Sequence, residues 1–314
     1  MISRRSRAPV ARVRDVKLGV RWPEYDFPLD PGTIRAFVAG AEDLGYDHIT
    51  ISDFVIVPDR DDSGGAIALK REEALTVIAC MAGMSTSVGF MPTVLTLPKR
   101  QTVLVAEMAA TIDRLAGGRF RLGVGVGDQR TEFDALNADF TTRGARFEEQ
   151  IGVLRALWAG SDDPIRGRWH TLPPADVFGT RPEHQIPIWI AAGDLATPRT
   201  LQRIGRLADG VIPPWAPDER ARRFLRVIEE SAREAGRDYS SIGLEPKIAL
   251  RHGKHLRWRV GEPKSEAELT AEVTAWLDLG ATHLEFKTRR SGLSTFDEHI
   301  DEMARFRAIV RSCE

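Results

Sequence analysis

Short runs of β-branched and aliphatic residues alternate along this chain with longer segments whose apolar positions recur every three or four residues. Eight such pairs can be counted. The strand-like runs are "VKLGV" (16–20), "HITIS" (48–52), "TSVGFMPT" (86–93), "RFRLGVG" (119–125), "IPIWIA" (186–191), "DGVIP" (209–213), "GLEPKIAL" (243–250) and "THLEFK" (282–287). Several are apolar at successive positions, which predicts parallel strands covered on both faces. Repeated βα units of this number predict an α/β protein built as a single (β/α)8 TIM barrel, with its site at the C-terminal ends of the strands.

The helical segments carry legible start and stop signals. Asp30 before Pro31 is an N-cap with a proline in the first turn, leading Ile34, Phe37, Val38, Ala41 and Leu44 at helical spacing and closed by Gly45. A later stripe of Val105, Met108, Ala109, Ile112, Leu115 and Ala116 is stopped by Gly117 and Gly118. Ser265 with Glu268, and Thr295 with Glu298, have capping-box spacing, and Thr197-Pro198 opens another helix. Two stretches, 160–185 and 251–264, are too long for ordinary βα connections and predict insertion loops at the C-terminal face.

Composition narrows the class. The chain has 314 residues, of which 42% are hydrophobic and 28% charged, enough to bury a large core. Lys and Arg total 44 against 45 Asp and Glu, so no basic footprint for nucleic acid is present. Cys80 and Cys313 form neither a disulfide framework nor a zinc spacing, which points to a reducing cytoplasm and to no metal. No apolar run approaches the roughly 20 residues that span a bilayer. Residues 1–14 read as a solvated basic arm, leaving 15–314 as one domain.

The stretch "GGRFRLGVGVGDQR" (117–130) resembles a dinucleotide loop at first sight. A G-x-G-x-x-G fingerprint fails, because Asp128 stands where the third glycine should be, and Glu148, about 20 residues on, falls within a helix. Gly123, Gly125 and Gly127 instead sit at and beyond a strand end, where missing side chains let a flat ring or a neighbouring strand approach.

Three segments carry a family resemblance: "LPKRQTVLVAEMAATIDRLAGGRFRLGVGVG" with "EFDAL" and "RGARFEEQIGVLRALW", then "IPIWIAAGDLATPRTLQRIGRLADGVIP", then "GATHLEFKTRRSGLSTFDEHIDEMARF". Together they resemble the bacterial luciferase-like monooxygenase superfamily, especially its oxidoreductases dependent on the deazaflavin coenzyme F420. The resemblance implies a cofactor ring across the barrel mouth, supported by a non-prolyl cis peptide at Thr93-Val94 and approached by Gly125, Val126 and Gly127. It implies a phosphate held by the backbone of Ala192, Gly193 and Asp194 with the Thr197 hydroxyl, at a helix start whose unpaired N–H groups suit an anion.

Many F420-dependent relatives place a histidine after the aspartate that ends the second strand. Here Asp53 is followed by Phe54, which can shape the pocket but cannot exchange a proton. Asp128, and Glu24 or Tyr25, are the candidates for a relocated acid or base; His283 and Glu285 belong to core or rim. Trp22 and Trp215, each just past a strand end, are candidate walls of the ring. Arg143 and Arg146 with Glu149 read as charge pairs at a helix start.

The arginine with which luciferases grip a flavin phosphate would fall at Val126, which favours F420 over FMN. The cationic loop 251–259 and Arg289-Arg290 would suit the polyanionic tail of F420. The expected activity is hydride transfer between F420 and a small carbonyl, enone, imine or alcohol. The alternatives are an FMN-dependent luciferase-like monooxygenase and a non-catalytic flavin- or deazaflavin-binding protein. The resemblance also implies a homodimer.

Overall fold

A computed structural model describes residues 16–24, 26–56, 72–160, 163–174, 181–194, 196–253 and 260–314. The predicted arm at 1–14, Tyr25 and most of the cationic loop lie outside the described residues. The barrel strands are β1 (Lys17–Arg21), β2 (His48–Ile51), β3 (Gly89–Pro92), β4 (Leu122–Gly125), β5 (Ile188–Ala191), β6 (Gly210–Ile212), β7 (Gly243–Leu244 and Lys247–Ala249) and β8 (His283–Lys287). All pair in parallel and in sequence order. β8 pairs with β1, so the sheet closes into the expected (β/α)8 barrel.

Two strands depart from regular pairing. β7 is interrupted at Pro246, which has no N–H to donate. Its first half pairs with β6 and its second with β8. β3 meets β4 at Phe90 and Phe120, leaves it through the cis Thr93-Val94 bond, and rejoins at Leu95–Thr96. The space for that excursion comes from β4. A Cβ at Gly123 would overlap the Pro92 carbonyl oxygen, and one at Gly125 would press on Val94.

The main barrel helices are α1 (Pro31–Asp43), α2 (Ala74–Ala82), α3 (Thr102–Leu115), α4 (Arg143–Ala159), α5 (Pro198–Leu207), α6 (Glu219–Glu234), α7 (Glu266–Asp278) and α8 (Phe296–Cys313). Asp30 accepts hydrogen bonds from Gly32 and Thr33 N–H, and both capping boxes are formed. Outward-facing strand residues meet the helices, as where Phe286 stacks on Phe306 at 4.0 Å. The stripe on α3 is corrected: Met108 and Leu115 are exposed, and Ala106, Ala109 and Ala110 face inward. Small residues are needed there because Trp158 of α4 lies against the helix and donates from Nε1 to the Ala106 carbonyl at 3.0 Å.

The barrel interior is more polar than an apolar strand pattern predicts. Its lower layer holds His48, Arg121, Glu245 and His283 around Trp189. His48 Nε2 lies 2.6 Å from Glu245 Oε1, Arg121 donates to Glu245 at 2.9 Å, and the Arg121 guanidinium covers the indole at 4.5 Å. Removing charges from water is costly, and here each buried carboxylate has a cationic partner. A separate apolar cluster of Met91, Trp189 and Ile212 packs under Val94 and Ala191.

Candidate active site

A cleft of about 1000 Å³ opens at the C-terminal ends of β2 to β5. Its central lining, Val94 and Ala191, rests on the Met91, Trp189 and Ile212 cluster. The cis bond follows β3, and the glycines of β4 keep the opposite wall low. This makes an apolar bed in the cleft.

At one end the cleft reaches the start of α5. Gly193 has φ +76°, and nothing lies within 4 Å of the position a side chain would take, so the loop is open on that side. Thr197 caps α5 by accepting from Thr200 N–H at 3.3 Å. Arg143, Arg168 and Arg199 add positive charge to the lining, while Arg203 is ion-paired with Glu148 at 2.9 Å. An anionic group is favoured there by helix polarity and by guanidinium donors together.

The residues expected at the site divide into three groups. Asp53, Phe54, Thr93, Val94, Gly125, Val126, Gly127, Asp128, Ala192, Gly193, Asp194 and Thr197 all line the cleft. Trp22 does not: it is buried edge-on against Phe37 with ring centres 5.1 Å apart, and belongs to the packing between β1 and α1. Trp215 is also displaced from the expected wall. It donates from Nε1 to the Gly193 carbonyl at 3.1 Å and so holds the open loop in place from behind.

The acids are distinguished by their partners. Asp53 accepts from Thr96 N–H at 3.2 Å and from Arg100 at 2.7 Å, tying the end of β2 to the β3 excursion. Glu24 lies outside the cleft lining, buried, where it accepts from Ser52 N–H and from Arg289, both at 2.8 Å. Burial would raise its carboxyl, but the Arg289 and Arg21 charges overcome that and bring it down to about 2. Glu24 is therefore ionised throughout the neutral range and cannot deliver a proton there. Asp128 is exposed at the cleft rim.

The expected charge pairs at the start of α4 are also corrected. Arg143 donates to the Gly127 and Phe140 carbonyls, and Arg146 to that of Pro98. Glu149 turns instead to the insertion, accepting from Arg168, Trp169 and His170 N–H at 2.8–2.9 Å. That clamp places Arg168 and Trp169 at the cleft, a contribution that sequence reading missed. The Trp and Arg in the over-long 160–185 segment were the available signal. Arg289 is inside the barrel mouth on Glu24 and Ser52, rather than extended toward a cofactor tail.

His283 and Glu285 both face the barrel interior. Glu285 is fully buried against Arg21, whose guanidinium also reaches Ser52 and Thr93. His283 is pushed down to about 3 by burial and by Arg121, against the pull of Glu245.

The fold is a (β/α)8 barrel with an open cleft at its mouth that is lined by Val94 and Ala191 and by the start of α5. Residues 18–310 match the model of the luciferase-like monooxygenase family, and the chain belongs to that family. It is 33% identical to an F420-dependent glucose-6-phosphate dehydrogenase of Beutenbergia cavernae, over 90% of this chain and 95% of the relative. It is 30% identical to the enzyme of the same name from Kineococcus radiotolerans, over 75% and 68%. Among solved structures, an F420-dependent secondary alcohol dehydrogenase in complex with an F420–acetone adduct superposes with a TM-score of 0.76 at 18% identity, over 95% of this chain and 99% of that one. A coenzyme F420-dependent tetrahydromethanopterin reductase from Methanopyrus kandleri gives 0.69 at 17% identity, over 93% and 97%. These two similarities concern the fold. Among the described residues no helix is long and apolar enough to cross a membrane.

Proposed function

We propose that this protein is an F420-dependent oxidoreductase that binds the deazaflavin in the cleft and transfers a hydride between it and a small organic substrate. The observation that carries the reading is the apolar bed at Val94 and Ala191, in one cleft with Gly193, Thr197 and Arg199 at the start of α5. Its relatives are named as F420-dependent enzymes acting on a sugar phosphate, which supports the same cofactor here. Arg143, Arg168 and Arg199 in the lining favour a cofactor with a polyanionic tail over FMN, which ends at one phosphate.

Bound F420 would supply a two-electron hydride carrier. Val94 and Ala191 would support its ring, and Gly193, Asp194 and Thr197 would hold its phosphate through backbone N–H groups and the hydroxyl, whereas the expected Ala192 N–H is already donated to the Ile212 carbonyl at 3.2 Å. Phe54 closes the side of the cleft and excludes water. Asp53 is a positioning residue that locks the β3 excursion through Thr96 and Arg100. Of the acids nominated for the proton, Asp128 combines a place in the lining with access to solvent, and is assigned as the acid or base. The exposed Val103, Leu104, Met108 and Leu115 of α3 would form the contact of a homodimer, and the cytoplasm is its compartment.

Titration of the purified protein with F420 and with FMN tests the reading. F420 fluorescence should be quenched at micromolar protein. Micromolar binding of FMN with no response to F420 would overturn it. Turnover of reduced F420 with enones, imines and carbonyl compounds then separates an enzyme from a carrier, and Asp128→Asn should lower that turnover by about 100-fold.

A further inference from the structure

Across the barrel mouth from the apolar bed, the ends of β1, β7 and β8 bring together Arg21, Lys247, Lys287 and Arg289. The two carboxylates among them, Glu24 and Glu285, are already engaged. Glu285 pairs with Arg21 at 2.9 Å and Glu24 with Arg289 at 2.8 Å. Both carboxylates are therefore bonded by arginines, and neither is bonded by a lysine. Neither lysine amine makes a hydrogen bond or ion pair with any described residue. The sector adjoins the cleft through Thr93, which lines the cleft and accepts from Arg21, and through Ser52, which precedes the cleft residue Asp53.

We propose that this sector is the subsite for an anionic group on the substrate, a phosphate or carboxylate, received by Lys247 and Lys287. The inference rests on the oxidoreductase reading for the reaction, but not for the anion. With both arginines satisfied by carboxylates, the two lysine amines are left without a bonded anion of their own. An oxyanion between them supplies that counter-ion and accepts their N–H donors. The substrate would then lie with its charged end on β7 and β8 and its reacting carbon over the bed at Val94 and Ala191.

The free lysines are already held low. Burial and then Arg21 and Arg289 push Lys247 down to about 8, with Glu285 and Glu245 opposing. Burial and then Arg289, Arg21 and Lys247 push Lys287 to about 7, with Glu285 opposing. An arriving anion offsets the repulsion from the neighbouring cations and favours the protonated amines, so binding near pH 7.5 should draw protons from the buffer.

Calorimetric titration of the full chain without cofactor tests this, using sulfate, inorganic phosphate and acetate as probes in two buffers of different ionisation enthalpy. Sulfate, which does not titrate, should bind with uptake of protons at pH 7.5. Lys247→Met and Lys287→Met should each weaken the sulfate or phosphate affinity at least tenfold, with melting temperature showing that they fold. Phosphate binding more tightly than acetate assigns a phosphate-bearing substrate, and the reverse order a carboxylate. Absence of binding by all three anions, or binding without proton uptake in the wild type, overturns the proposal whether or not the variants fold. F420 quenching on the same preparations reports the cofactor reading separately.

Discussion

Gly123 of β4 faces the carbonyl oxygen of Pro92 so closely that the space for a Cβ is already filled. The contact is to backbone, which cannot rotate away, and Met91 and Val94 crowd the same wall. Gly123→Ala should therefore displace the β3 excursion and cost on the order of 3 kcal/mol. Gly152, within α4 and with nothing within 4 Å of an added Cβ, is the matched control. Gly152→Ala should stabilise the protein by up to about 1 kcal/mol. Urea denaturation of both variants checks the pair, and equal midpoints would show that the close approach at Pro92 is unimportant.

Glu285 is the buried counter-ion of Arg21, and Lys247 is its neighbour across the β7–β8 ladder. Glu285→Gln keeps the shape and removes the charge. It should destabilise by about 3–5 kcal/mol, because it leaves a buried guanidinium uncompensated among other cations. Arg21→Met with Glu285→Leu, which removes both partners, should be closer to wild type than either single change. Chemical denaturation of the cycle measures this; additive losses would mean that the two side chains act independently.

The architecture was legible because the information that specifies it is local. Strand runs, Asp30-Pro31, and the Ser265 and Thr295 capping boxes each need only a few neighbouring residues, and each formed as its pattern predicts. The inner face of the barrel was not legible in the same way. In "THLEFK" the charged residues face inward and the apolar ones outward, because Arg21, some 264 positions away, supplies the partner of Glu285. Trp22 and Met108 failed as expectations for a related reason. Proximity to a strand end does not say whether an indole turns to the mouth or to α1, and a helical stripe does not say that Trp158 will require alanines at the interface.

Stability should depend on pH through the same interior. Folded His283 takes up a proton only near pH 3, against an ordinary value of 6.5, so the unfolded chain binds more protons between those limits. Stability therefore falls as pH drops through that window, and Glu24 adds to the loss between about 4.5 and 2. At the other end, Lys287 and Lys247 release protons near 7 and 8 in the fold but at an ordinary 10.5 when unfolded. The unfolded chain again binds more protons, so stability should rise from pH 7 to 9. Lys287→Met should stabilise at pH 7 by about 1–2 kcal/mol and flatten the alkaline rise. Urea midpoints at pH 5, 7 and 9 for both proteins decide it, and parallel curves would remove Lys287 as the cause.

Arg199 is exposed at the first turn of α5 and lines the cleft beside Thr197. If an anionic cofactor tail enters there, Arg199→Ala should weaken F420 binding about threefold to tenfold at low salt. The difference should shrink as ionic strength rises, since the charge is screened by solvent. Thr197→Val should weaken binding at every salt concentration, because it removes a hydroxyl and loosens the cap on Thr200 N–H. The two profiles separate long-range attraction from direct contact. F420 quenching at several salt concentrations measures both, and an Arg199→Ala loss independent of salt would place that side chain in direct contact instead of at the entrance.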